Sequence, residues 1–159
     1  MPPLQIHHPD YKFSDPADFS TTYSRLKSDA GVDASHLHAR FQINEIEEIA
    51  LFSEVENALI GGLSHATRED GAVVAFQIWI APPFRERGHA TVAGKAFVQA
   101  QFENGCHRLE TAHRSGDGAP DRLVQNLRFL PEGIQRSALR QKGQWIDLAH
   151  YGLLALDPR

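Results

Sequence analysis

Only one cysteine, Cys106, and one methionine occur among the 159 residues. An intrachain disulfide is therefore excluded, and a reducing compartment, the cytoplasm, is the default expectation. A basic excess is also missing: 16 Lys and Arg against 20 Asp and Glu leave a net charge of −4. That argues against a general nucleic-acid binder, which needs clustered cations to neutralise phosphates. No apolar run approaches the roughly 20 residues that a bilayer-spanning helix requires. No apolar segment follows a basic start, so neither a leader nor a membrane partner is expected. Repeats and low-complexity tracts are lacking. What is present suits a single domain over residues 1–159: 42% apolar residues make a core and 23% charged residues a soluble surface.

Along the chain, Leu4-Gln5-Ile6-His7-His8 reads as a short strand. Asp15-Pro16-Ala17-Asp18 reads as a helix start, with acids and proline in the first turn, and the helix extends to Ser28 before Gly31 breaks it. A second helix is expected over residues 34–42. The period then changes. Residues 49–55, 58–66 and 72–80 form an antiparallel meander of three strands, with turns at Glu56-Asn57 and Arg68-Glu69-Asp70-Gly71. Gly61-Gly62 inside the second of these suggests a bulge or a close backbone approach. Helical spacing returns over residues 88–103, where Ala90, Ala93, Phe97 and Ala100 share a face. A strand over 107–112, a loop over 115–120, a short helix over 121–129 and a hairpin turning at Lys142-Gly143 complete the order. A strand, crossover helix and parallel strand thus sit within a mostly antiparallel sheet.

The stretch Arg85-Glu86-Arg87-Gly88-His89-Ala90-Thr91 joins the most strand-like segment to the central helix. Its chemistry suits a pyrophosphate. The first-turn N–H groups of a helix are free donors at the positive end of its dipole. Gly88 and Ala90 are small enough for close approach. Arg85 and Arg87 add guanidinium forks, and Thr91 adds a hydroxyl. The competing reading is a polar strand-to-helix loop that happens to hold a glycine.

The segment Ile78-Trp79-Ile80-Ala81-Pro82-Pro83-Phe84 with that loop resembles the coenzyme A motif of the GNAT superfamily, and specifically the RimJ/RimL-type N-acetyltransferases. The tail Gly143-Gln144-Trp145-Ile146-Asp147 with Tyr151-Gly152-Leu153 is similar to that family's C-terminal hairpin, and His107-Arg108-Leu109-Glu110 to its Arg-Ile/Leu-Glu strand. The resemblance covers residues 59–156. It implies an α/β fold: a GNAT-like mixed, mostly antiparallel twisted sheet with helices on both faces and a splayed central strand pair. It implies acetyl-CoA as co-substrate, with pantetheine bonded to backbone near Ile78, Trp79 and Ile80 and a bulge late in that strand opening the gap. It implies transfer to a primary amine, of a protein N-terminus or a small molecule, in a ternary complex without an acyl-enzyme. Members often pair through their sheets or tails, so a homodimer is compatible. The chain departs from the pattern where the family has Asn-x-x-Ser before the helix: those positions hold Asp117 and Pro120, and the family's Gly-Phe appears as Arg128-Phe129. These departures leave a non-catalytic acyl-CoA sensor as the alternative.

Amine acetylation needs a base for the amine, a polarised thioester and a proton for the thiolate. Glu110 is a candidate base, or equally a structural carboxylate. His65 is a second titratable candidate, against a packed strand histidine. Tyr151 is the candidate acid, against a ring that anchors the last strand. Glu54 and Glu56 read as solvated, Cys106 as a packed thiol, and Trp79 and Trp145 as packing residues. His7, His8, His36 and His38 lack a third ligand at compelling spacing, so no metal is expected.

Overall fold

The computed structural model describes residues 4–19, 21–32 and 45–159. Seven strands form one sheet: β1 (Tyr11–Ser14), β2 (Glu47–Ser53), β3 (Ala58–Arg68), β4 (Val73–Ile80), β5 (Arg108–Arg114), β6 (Leu130–Gln141) and β7 (Gln144–Leu154), in the order β1-β2-β3-β4-β5-β7-β6. Every neighbouring pair is antiparallel except β4 with β5. Three helices accompany it among the described residues: α1 (Thr22–Asp29), α2 (His89–Glu103) and α3 (Gly118–Asn126). None is long and apolar enough to cross a membrane.

Strand alternation explains the layering. Val74, Phe76 and Ile78 share one face of β4, and there Phe97 and Val98 of α2 and Val124 of α3 meet them in the largest core cluster. Phe76 lies 5.1 Å from Phe97 and 5.7 Å from Phe129, ring to ring. Trp79 points the other way, to a cluster with Tyr23 and Leu26 of α1. Each fully buried Phe or Leu contributes about 1.5–3 kcal/mol, so both faces of β4 are anchored.

Several boundaries differ from the sequence expectation. The first strand is Tyr11–Ser14, because Tyr11 and Phe13 pair with Ser53 and Leu51 at the sheet edge; His8 adds only an isolated bridge to Tyr11. Asp15 does accept the Ala17 N–H at 2.9 Å, but the turn it caps is a 3-10 segment, Pro16–Phe19, and α1 starts afresh at Thr22. The expected helix over 34–42 lies outside the described residues. Helix α3 begins at Gly118, with Pro120 in its first turn, where proline is tolerated because that N–H has no helical acceptor. Strand β6 begins at Leu130, earlier than expected. Trp145 is 62% exposed rather than packed, with Arg140 over its ring.

Strands β4 and β5 share only three register pairs, Val73–Arg108, Val74–Leu109 and Ala75–Glu110. One further link follows, the Thr111 hydroxyl donating to the Phe76 carbonyl at 2.8 Å. Beyond it the strands diverge. The implied bulge late in β4 is not what separates them: β4 pairs with β3 continuously from Val73 to Ile80, and the bulge lies between β2 and β3 at Leu51/Phe52. Instead β5 is held by β7 over seven consecutive pairs, so it follows the twist of that hairpin away from β4. The paired glycines have their use here. A Cβ on Gly61 would strike the Trp79 carbonyl oxygen, and one on Gly62 would stand 2.6 Å from the Tyr23 hydroxyl.

Candidate functional site: the cradle and the β4–β5 gap

The loop after β4 leads into α2, whose N-cap is Gly88 at φ +83°. Glu86 is also left-handed, at φ +63°. Two such residues spaced by one curl the backbone so that successive N–H groups face a common side. The first helical bond of α2 from the cap is Val92 N–H to the Gly88 carbonyl at 3.2 Å, so the amides of His89, Ala90 and Thr91 are the orphan donors of a helix start. A Cβ at Gly88 would meet nothing within 4 Å. The glycine therefore answers to backbone conformation and leaves the concave side open.

The two arginines behave differently from the sequence expectation of free phosphate forks. Arg85 turns back and donates Nε–H to the Ile80 carbonyl at 2.9 Å, with Nη2 reaching the Ala30 carbonyl at 3.4 Å. Arg87 donates to Glu56 Oε2 at 2.7 Å and lies 5.8 Å from the Phe84 ring centre. The His89 ring is buried; its Nε2 lies 3.2 Å from Glu56 Oε1 and its Nδ1 2.7 Å from the Tyr11 hydroxyl. Glu56 is thus no solvated turn residue. It sits near the positive end of α2 and binds the side chains of Arg87 and His89, and hydrogen bonds from Arg87 and then His89 hold its carboxyl below the ordinary range. Glu54, in contrast, pairs with exposed Lys12 at 3.2 Å, as a surface residue does. The loop is braced from behind through side chains, while its backbone amides remain on the open side. Thr91 continues the rim, its hydroxyl accepting from Asn126 at 3.3 Å.

From Thr91 a cleft of about 1010 Å³ runs between α2 and α3, lined by Lys95, Gln125, Asn126, Arg128 and Arg159 among others. Arg128 is itself left-handed, at φ +68°; it adopts the conformation for which glycine is the easier residue. Asp117 is the N-cap of α3 but makes no side-chain cap bond. In the other direction the cradle opens on the gap. The Ala81 N–H bonds the Ile60 carbonyl at 2.7 Å, so by alternation the backbone groups of Ile78 and Ile80 point away from β3, toward the gap. On the α1 face of the gap, Ser64 Oγ, Gln77 Oε1 and Trp79 Nε1 are buried without a geometric hydrogen-bond partner among the described residues. Unmet buried polar atoms cost about 1–3 kcal/mol each, and three on adjoining strand positions form a polar patch.

The three catalytic candidates are dispersed. Glu110 lies at the closed end of the strand pair. Its oxygens accept from Arg68 at 2.7 and 2.8 Å and from Arg108 at 2.6 Å, and Arg108 also reaches Glu132. That arrangement matches the structural-carboxylate reading. His65 faces α2, its ring 5.8 Å from Phe97, and burial pushes its pKa down; β4 separates it from the gap. Tyr151 lies on β7, with β5 between it and the gap. Its hydroxyl donates to Asp121 at 3.2 Å, and burial, then the Asp121 charge, raise its pKa. Cys106 is a packed thiol, donating to the Arg108 carbonyl at 3.1 Å, with its pKa raised by burial. Among the described residues no group of His, Cys, Asp and Glu could hold a metal; His36 and His38 lie outside them.

Other residues that carried no sequence signal meet on the α3 side of β5. His113 and Asp121 meet at 2.6 Å, and the His113 ring stacks on Tyr151 at 5.1 Å. Their partners come from three elements, so no spacing rule joins them. Glu56 and Ser64 were hidden for the same reason.

No protein-family model matches the chain, and no curated protein is similar to it in sequence. Solved structures are similar in fold. A GNAT-family acetyltransferase from Bacillus anthracis superposes with a TM-score of 0.75 at 15% identity, over 96% of this chain and 99% of that one. Ribosomal-protein-S5-alanine acetyltransferase from Vibrio fischeri gives 0.76 at 17% identity, over 96% and 97%. The microcin C7 self-immunity acetyltransferase, solved with acetyl-CoA and AMP, gives 0.74 at 11% identity, over 92% and 93%. With its seven-stranded sheet, single parallel pair and helix-capped loop, this chain has the fold of the GNAT acetyltransferases.

Proposed function

We propose that the chain is an N-acetyltransferase that moves an acetyl group from acetyl-CoA to a primary amine. The observation that carries this reading is the β4–β5 gap running straight into the open amide cradle at Gly88. A pyrophosphate fits the cradle: the orphan amides of His89, Ala90 and Thr91 supply donors, and the bare Gly88 admits close approach. Lys95, Arg128 and Arg159 in the adjoining cleft supply positive charge for the nucleotide end. Pantetheine amides would bond the backbone of Ile78 and Ile80 in the gap, which points the thioester at its vertex beside Thr111. The acceptor enters from the α1 face, where Ser64, Gln77 and Trp79 offer unused polar atoms.

The amine nitrogen attacks the thioester carbon, the C–N bond forms and the C–S bond breaks. The amine gives its proton to water and the thiolate gains one. Among acceptors we favour a protein or peptide N-terminus, in keeping with the RimJ/RimL-type motif; the similar Vibrio fischeri enzyme is named for a ribosomal-protein alanine. A cytoplasmic site of action follows from the lone thiol. A homodimer would use the hairpin surface where Leu130, Ile134 and Trp145 are exposed.

Calorimetry with acetyl-CoA and thiol release over a panel of peptides and small amines test this reading. Binding with turnover on any amine is the expected result. Binding without turnover on the whole panel would make the chain an acyl-CoA sensor, and no binding would end the coenzyme A reading altogether.

A further inference from the structure

Resting on that reading, we propose that His113, held by Asp121, is the proton donor to the departing coenzyme A thiolate. Position is the first argument. His113 lies on β5 two residues beyond Thr111, whose bond to Phe76 is the last link across the strand pair. By alternation both side chains share a face, the one on which Tyr151, the register partner of Thr111, also stands. The ring therefore sits beside the vertex to which the thioester points.

Chemistry is the second. Asp121, in the first turn of α3, accepts from His113 Nε2 at 2.6 Å, which fixes the ring's orientation, and that bond holds the Asp121 carboxyl below its ordinary range. Nδ1 makes no hydrogen bond among the described residues and is not sealed from solvent. In the proposed step the ring enters doubly protonated, with one N–H given to Asp121 and the other directed at the sulfur. Tyr151 is placed less well: its hydroxyl proton is directed at Asp121. Asp121 and Tyr151 are the charged and titratable groups in contact with the ring. The neighbouring Arg114 projects to the opposite face, and Asp147 on β7 is engaged with the Ser137 N–H.

The proton balance closes without a further reagent. As the C–S bond breaks, the Nδ1 proton passes to sulfur, His113 becomes neutral, and solvent restores its proton. Asp121 is a positioning residue, and Tyr151 holds the stack.

The test needs no acceptor. Ultraviolet thiolate absorbance of stoichiometrically bound coenzyme A is followed against pH for the wild type, His113→Gln, Asp121→Asn and Tyr151→Phe, with calorimetry confirming occupancy. An imidazolium beside the sulfur makes the bound thiol more acidic than the free one. His113→Gln is expected to cut that acidity about tenfold, one pKa unit, and Asp121→Asn to cut it less. Where an acceptor is in hand, His113→Gln lowers kcat about a hundredfold, while affinity for acetyl-CoA stays within about threefold. A thiol titration unmoved by His113→Gln overturns the proposal, as does a larger shift for Tyr151→Phe than for His113→Gln. Failure of all variants and the wild type to bind coenzyme A overturns the underlying reading, and this one with it.

Discussion

The two ends of the β4–β5 pair are built on opposite principles. At the closed end Glu110 is buried, yet each oxygen is met by a guanidinium, and Arg108 is shared with Glu132. At the open end the ladder stops after three pairs, strand amides face a gap, and Ser64, Gln77 and Trp79 hold unmet polar atoms. Satisfied polar groups stabilise a fold, whereas unsatisfied ones weaken it and are tolerated where a ligand completes them. The same strands carry stability at one end and, on the proposed reading, recognition at the other.

That contrast can be broken by substitution. Glu110→Ala should cost about 3 kcal/mol of stability, since it removes the charge-assisted hydrogen bonds from Arg68 and Arg108, with acetyl-CoA affinity unchanged. Chemical denaturation and calorimetry measure the two. A folded variant with normal stability and no turnover would instead make Glu110 the base. Gly88→Val should weaken acetyl-CoA binding about a hundredfold, some 2.7 kcal/mol, because a β-branched residue resists φ +83° and its side chain fills the cradle. Arg87→Glu should weaken binding about thirtyfold by placing a second carboxylate against Glu56 and turning charge against phosphate; calorimetry at two salt concentrations would show it. Unaltered affinity would remove the cradle from the site. Trp79→Phe removes an unmet donor, so stability should change by less than about 1 kcal/mol, while KM for the amine rises and KM for acetyl-CoA does not.

The smallest effect is a pH dependence. Glu56 has a folded pKa below its ordinary value, so its pairing favours the native state above pH ~4.3 and is lost as pH falls through the lowered folded value. Thermal melts of wild type and Glu56→Gln should therefore converge below pH ~4. Curves that stay parallel down to acid pH would mean that the Glu56 pairs contribute nothing.

The legible parts of the molecule were those with local causes. The meander, the crossover helix and the hairpin follow from period, turn residues and the Gly88 loop, all contained within a few residues of sequence. The left-handed Gly88 and the helix start after it lie where the sequence put them, but the arginine side chains beside them do not stand free. Arg85 and Arg87 looked free because the carbonyl of Ala30 and the carboxylate of Glu56 that occupy them lie 55 and 31 residues away. Leu4 to His8 looked like a strand, but strand identity depends on a partner, and the partner of β2 is Tyr11–Ser14.

By itself the sequence determined where the chain turns, which segments are apolar on one face, and that a glycine with free amides opens the central helix. Those properties arise from φ preference, side-chain size and hydrophobic period, which each residue carries with it. Only tertiary structure decided that β4 and β5 part after Ala75, that Glu110 is clamped, and that His113, Asp121 and Tyr151 converge on the α3 side of β5. The pull of β7 on β5 and the meeting of three elements are properties of the folded sheet, in which residues far apart in the chain acquire the neighbours that set their chemistry.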